Sequence, residues 1–433
     1  MPNRRHGLIG VYPIGVLISG LLLAGQACAA SPAAPPHAAT PAAPPGAKAP
    51  TTVAPKPDAK PDPVANIAYL ALVQKRVLPQ SFLDQPPEDE GVQGARLGLA
   101  DNITTGRFIH QAYHLEEALE PDADAVVAAF KKLVAQGYRA FVTDVPADLL
   151  LRLADLAEAK DATLLDATST DDALRGEQCR RNVLHLLPSR AMLADALMQY
   201  LTIKNWRDIL LVAGPNPEDK LYADALRKSA RKFRLKIVAD KPWTYDPGAR
   251  RTDTGHYAIG AEVARFTQGI KYDVLVVADE GDNFGDDLGY RATDPRPVAG
   301  TQGLVPAAWA RPFEQWGATQ LQARFLKQTG RWMTERDYGA WMAVRALGEA
   351  ATRGGSVEGA AMTAYLRKPE FELAAFKGAR LSFRAWDGQL RQPVLLADAR
   401  SLVSVSPQPG FLHETSELDT LGPDQPETTC HPR

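Results

Sequence analysis

The sequence is short of cysteine, of charge imbalance and of long apolar runs. Only 3 cysteines occur in 433 residues, which excludes a multi-disulfide scaffold and a four-cysteine zinc site. Basic and acidic residues number 49 and 51, for a formal net charge of −2, so bulk electrostatics argue against a nucleic-acid partner. After the first thirty residues no apolar stretch approaches the roughly 18 residues of a membrane span, and the mature chain is expected to be soluble. Catalytic signatures are missing as well. There is no G-x-S-x-G, no H-E-x-x-H and no Walker loop, and neither "ADNITTG" nor "GPNPEDK" is a dinucleotide fingerprint. The expectation is a protein that is not an enzyme and holds no metal and no cofactor. Hydrophobic residues make up 45%, enough for a packed core and against wholesale disorder.

The amino-terminal end reads as an address. Arg4, Arg5 and His6 precede an uncharged apolar run from Leu8 to Ala24, and Ala27-Cys28-Ala29 offers small residues for cleavage. Residues 1–29 are therefore expected to be a secretory signal. Lipidation of Cys28 is the less favoured reading, because Gly25-Gln26-Ala27 is a poor approach to a lipidated cysteine. Of the 34 prolines, 11 fall between Pro32 and Pro63, so residues 30–64 form an Ala/Pro-rich linker that cannot bury enough surface to fold. The expected location is the bacterial periplasm. Removing Cys28 leaves Cys179 and Cys430, which in an oxidising compartment either pair, tying the tail to the middle of the chain, or remain two free thiols. Pairing is the expectation.

From Asn66 onward, short apolar runs alternate with amphipathic helices. Strands are expected at 67–73, 138–143, 163–165, 183–187, 209–212, 236–238, 273–278 and 297–301. Helices are expected near 92–102, over 122–136, from Pro146, from a Ser189 cap, and around 221–233. Strands apolar throughout are covered on both faces, which is parallel-sheet chemistry. The repeated strand–helix units predict an α/β fold class with two open, doubly wound lobes, not one barrel. Later helices are expected over 317–328 and 334–353, the second opened by a capping box of Thr334 and Asp337. A hairpin is expected to pair 381–383 with 394–396 through a turn at Asp387-Gly388. The tail from Ser404 is expected to wrap the surface.

This order of elements resembles the leucine-binding family of periplasmic binding proteins, the type I fold. The resemblance is carried by Asp166-Ala167-Thr168-Ser169-Thr170, Leu174-Arg175-Gly176, Tyr222 to Ser229, Tyr338 to Ala350 and "FKGARLSFRAWDGQLRQP". The stretches "DYGAWMAVRALGEA", "RPVAGTQGLVPAAW", "FEQWGATQLQ" and "GFLHETSELDTLG" are similar to the ABC-transporter binding proteins associated with PQQ-dependent alcohol dehydrogenase systems. The resemblance implies a monomeric solute receptor that hands a small polar or anionic molecule to an ABC permease in the inner membrane. An envelope interaction or assembly factor on the same fold is the alternative. It further implies an N-terminal lobe of residues 65–185 plus 303–355, a C-terminal lobe of 186–302 plus 356–404, and a tail of 405–433.

Ligands of open α/β sheets sit beyond the carboxyl ends of the strands. The candidate ligand residues are therefore Thr143, Asp144, Ala167, Thr168 and Ser169 on the first lobe. On the second they are Asp279 and Glu280, and the resemblance implies Tyr222 and Gln302 in addition. Gln302 stands where amino-acid binders of the resembled family commonly place an acid, and an amide cannot make that charge-assisted contact. A free α-amino acid is thus a weaker expectation than the resemblance alone implies. The loop from Asp279 to Asp287 is rich in carboxylates, yet position twelve, where a calcium loop needs glutamate, is Tyr290. It is expected to be a solvated loop. His110 and His114 are expected to be a surface pair, and Arg250, Arg251 and Asp253 a solvated connection.

Overall fold

A computed structural model describes residues 61–73, 86–244 and 262–431. The expected signal segment, Cys28, all but the last residues of the linker, and Arg250, Arg251 and Asp253 lie outside the described residues. Among the described residues no helix is long and apolar enough to cross a membrane.

The first lobe is built on five parallel strands. In chain order they are β1 (Val64–Leu72), β2 (Ala112–Glu120), β3 (Ala140–Asp144), β4 (Thr163–Asp166) and β5 (Val183–His185), and in space they run β2-β1-β3-β4-β5. β3 and β4 are buried at every position because helices cover both faces. Helices α1 (Val92–Ile109), α2 (Ala123–Ala135) and α3 (Ala147–Ala154) follow β1, β2 and β3. Asp122 caps α2 by accepting the amide of Ala125 at 2.8 Å. Val126, Phe130, Leu149, Leu150 and Leu153 then seal one face of the sheet. The sequence reading missed β2. It lies at the sheet edge, and its partly exposed Glu117 and exposed His114 and Glu116 break the apolar pattern.

The second lobe repeats the plan. Helix α4 (Arg190–Ile203) leads into β6 (Asp208–Ala213), α5 (Pro217–Lys232), β7 (Lys236–Pro242), a short α6 at 262–267, β8 (Val274–Ala278) and β9 (Val298–Gly300). The sheet order is β7-β6-β8-β9, all parallel. α4 and α5 cover one face through Leu197, Leu201, Tyr222 and Leu226. On the other face Trp243 stacks on Phe284 with ring centroids 5.1 Å apart.

The remaining elements are β10 (Val305–Ala307), α7 (Ala318–Thr329), α8 (Glu335–Gly354), α9 (Gly359–Tyr365), β11 (Leu373–Ala374), β12 (Arg380–Phe383), β13 (Leu390–Arg391), β14 (Val394–Ala397) and β15 (Leu402–Ser406). Helix α8 returns to the first lobe and lies so close to α1 that a Cβ on Gly94 would come within 1.8 Å of the Asp337 carbonyl. Only glycine permits that approach. The expected capping box of Thr334 and Asp337 is present.

Three features differ from expectation. β12 pairs antiparallel with β13, not with 394–396; β14 instead joins β10 and β15 in a separate three-stranded sheet. Residues 359–390, assigned from sequence to the C-terminal lobe, pack into the first-lobe core through Met362, Phe371, Leu381 and Leu390. The tail does more than wrap. Leu421 is buried in a cluster with Met192, Ala196 and Val394. The buried Asp419 accepts Nε of Arg384 at 2.8 Å and Nε of Arg391 at 2.8 Å. A disulfide joins Cys179 to Cys430, with Cα atoms 5.6 Å apart. Among the described residues up to Ser406, the chain passes between lobes three times, near 187–190, 304–308 and 390–396.

Candidate functional site

The carboxyl ends of the first-lobe strands meet the start of α8. β3 ends on Asp144, which is almost fully buried. Its carboxylate accepts the Tyr69 hydroxyl at 2.6 Å and Nε of Arg336 at 2.7 and 2.8 Å. Burial, then the neighbouring Asp144 charge, hold the Tyr69 phenol well above its ordinary value. Gly91 opens α1 beside this pair with φ of 81°, and a Cβ there would sit 2.4 Å from the Asp144 carboxylate. The Gly91 amide donates to Asp337 at 2.8 Å. One carboxylate therefore ties the start of α1 to the start of α8.

β4 ends on the buried Asp166, which accepts the amides of Thr168 at 3.3 Å and Ser169 at 2.9 Å. Its other oxygen lies 2.8 Å from Nδ1 of His185. Beneath the loop, Arg175 donates to the carbonyls of Ser169 and Leu187 and to the side chain of Gln389. Burial and the Arg175 charge push the His185 imidazole down, against the pull of Asp166. The loop 167–170 thus rests on a fully buried polar hub.

A cavity of about 420 Å³ opens above these groups, lined by Glu90, Thr168, Thr170, Leu187, Glu335 and Arg336. Burial raises both carboxyl groups from their ordinary range. The Glu335 carboxylate accepts the Ala308 amide.

On the second lobe, Asp279 ends β8 and accepts the amides of Asn283, Phe284 and Gly285 at 2.9, 2.7 and 2.7 Å. Gln302 is buried; its amide donates to Asp279 O at 3.4 Å and Asp282 at 3.3 Å, while its oxygen accepts the Thr301 hydroxyl. Tyr222 belongs to the second-lobe core. Burial first, then the charges of Glu280 and Glu335, hold its phenol far above the ordinary value. Glu280 pairs with Arg190, the first residue of α4. Arg190 Nη2 lies 2.6 Å from Glu280, and its Nη1 reaches Asp171 of the first-lobe loop. Arg190 thereby bridges the two lobes across the cleft.

Of the nine candidate residues, Thr168 alone lines this cavity. Thr143 is buried and donates to the Leu165 carbonyl. Ala167 is buried against α8, where a Cβ on Gly339 would reach its carbonyl within 2.1 Å. Asp144 is engaged by Arg336, Ser169 and Asp279 shape their own loops, and Glu280 holds Arg190. Glu90, Glu335, Arg336 and Arg190 escaped the sequence reading. The signal existed for two of them. Glu335 and Arg336 fill the first turn behind the Thr334 cap, where side chains point back past the helix start. The acidic loop folds onto itself, and among the described residues no three metal-ligating side chains gather. His110 closes α1 and His114 lies on β2; both are exposed, His110 beside Asp62 at 3.6 Å and His114 beside Glu116 at 3.4 Å.

A family model described as "Periplasmic binding protein" matches residues 119–283. No curated protein matches the chain. Many solved structures do. A periplasmic binding protein from Burkholderia mallei is 14% identical with a TM-score of 0.59, covering 85% of this chain and 98% of that one. An ABC transporter substrate-binding protein from Desulfitobacterium hafniense, in complex with leucine, is 15% identical with a TM-score of 0.60, over 78% of this chain and 98% of that one. A solute-binding protein from R. palustris, in complex with benzoate, is 11% identical with a TM-score of 0.59, over 85% of this chain and 99% of that one. At these identities the likeness establishes the fold, two parallel-sheet lobes of the type I periplasmic binding protein architecture.

Proposed function

We propose that this chain is a periplasmic solute-binding protein that closes two lobes on a small polar molecule and delivers it to an ABC permease of the inner membrane. One observation carries the reading. The carboxyl ends of the first-lobe strands face a cavity of about 420 Å³ lined mainly by polar side chains, and Arg190 joins the two lobes by pairing with Asp171 and Glu280. That is the position in which open α/β sheets bind ligands. The matched family model and the shared fold support it.

The charges in the cleft narrow the ligand. The two cations there are already engaged, Arg336 by Asp144 and Arg190 by Asp171 and Glu280. Glu90 and Glu335 line the cavity beside them. A neutral or cationic polar solute suits this balance better than an anion, whose carboxylate would meet two acids and no open guanidinium. Gln302 is bound within its own loop, which argues against the ammonium contact of an α-amino acid. The link to a PQQ-dependent alcohol dehydrogenase system rests on the sequence stretches that resemble that subfamily.

Native mass spectrometry of protein purified from its own periplasm tests the proposal. A co-purifying neutral or cationic small molecule is the expected result. Micromolar binding of leucine by calorimetry would overturn the argument from Gln302. An unliganded chain that co-purifies in stoichiometric complex with another envelope protein would favour an assembly role.

A further inference from the structure

The opposite edge of the first lobe carries a second cavity, of about 670 Å³, at the amino ends of β4 and β5. Its lining offers an apolar floor to a ligand through Ala154, Leu156, Ala162 and Ala364, beside the polar Thr163, Asn182 and Thr363. Its ionisable lining is predominantly basic: Lys160, Arg180, Arg181 and Arg367 against Asp155 and Asp161. Arg180 is taken by Asp155, with Nη2 at 2.8 Å from Oδ2. Arg181 and Arg367 differ. Among the described residues neither has a carboxylate partner. They are nonetheless held together, because an Arg367 guanidinium nitrogen donates to the Arg181 backbone carbonyl at 2.5 Å. Desolvation in the pocket wall, then the positive charge of Arg181, lower the Arg367 pKa from its ordinary value.

Two like charges side by side at the rim of a cavity are unfavourable unless an anion joins them. Guanidinium forks match the oxygens of phosphate bidentately. The cavity is much larger than a bare phosphate ion, and its floor offers apolar contact to the remainder of a ligand. We propose that this cavity binds an amphipathic phosphate monoester, with the phosphate between Arg181 and Arg367 and the alkyl or aryl body on the alanine and leucine floor. The site is separate from the cleft, since Thr163 and Thr168 mark opposite ends of β4. It does not depend on the identity of the transported solute.

Calorimetry of the full chain with octyl phosphate provides the test, with phosphatidic acid vesicles as a second probe that separates a soluble monoester from a lipid headgroup. The expected result is binding of octyl phosphate, or co-sedimentation with the vesicles. Either is to weaken about ten-fold or more in Arg181→Gln/Arg367→Gln, as loss of hydrogen bonds to a charged group requires. Inorganic phosphate is to bind more weakly than octyl phosphate, because it leaves the floor uncovered. Both arginines are exposed, so the double variant is expected to keep the wild-type circular dichroism spectrum and thermal midpoint. Failure of both probes to bind the wild-type chain overturns the proposal. So does equal binding by a folded double variant.

Discussion

The two edges of the first-lobe sheet are built from similar residues and treat charge in opposite ways. At the carboxyl edge, the cleft arginines Arg336 and Arg190 meet carboxylates at hydrogen-bond distance, and Asp166 and Asp337 are saturated by amides or cations. At the amino edge, Arg367 donates to the Arg181 backbone carbonyl, and neither guanidinium meets a carboxylate among the described residues. Paired charges fix a shape, because removing one partner strands the other in a poorly solvated place. Unpaired charges at a rim leave the shape alone and remain available to a ligand. The carboxyl edge therefore holds its cations in ion pairs, and the amino edge is open and positive.

That contrast is broken or sharpened by four measurements, taken from the largest expected effect. Asp144→Asn leaves Arg336 without its carboxylate and is expected to lower the unfolding free energy by about 3 kcal/mol, read by urea denaturation. Lys377 comes next. It is buried among Gln392, the Pro393 carbonyl and the Tyr338 ring. Burial pushes it down to about 7, with Glu335 pulling the other way. The unfolded chain keeps this proton longer, so stability rises as pH climbs from 7 towards 9, by at most about 1.4 kcal/mol per pH unit from this group. Lys377→Met is expected to flatten that limb.

His185 gives the third and acts on the acid side. Its folded value is lowered, so the unfolded chain takes up the proton first, and stability from this group falls as pH drops below about 6.5. His185→Gln is expected to reduce the loss between pH 6.5 and 5 by about 1 kcal/mol. The smallest effect belongs to the amino edge. Arg367→Gln alone is expected to change stability by less than about 0.5 kcal/mol. A cost near that of Asp144→Asn would mean that the two edges are not different in kind.

Much of the architecture was legible because it depends on local patterns. Val126, Phe130 and Leu133 fall on one face of α2, Asp122 caps it, and Gly137 ends it with φ of 97°. The continuous apolar runs of β3, β6 and β8 announced parallel strands. What was not legible depends on partners far away in sequence. β14 looks like a hairpin partner of β12, but β10 and β15 compete for it and win. The polar tail hides a buried Asp419 that only Arg384 and Arg391 explain. The site was harder still. Residue types suited to ligands were found at the right strand ends, but Thr143, Asp144 and Asp279 spend their polarity on the protein itself. The cavity wall comes instead from Glu335 and Arg336, more than 160 residues from the strand ends they face.

The three passages of the chain between lobes have a practical consequence for anyone who would turn this protein into a reporter. Neither half is a single continuous gene fragment, so cutting the coding sequence once gives two pieces that each carry an unfinished core. A split sensor of the usual two-part kind would complete both cores only when its two fragments reassemble. A fluorescent insert placed in one surface turn, with both connections to the host kept intact, would leave every strand with its neighbour.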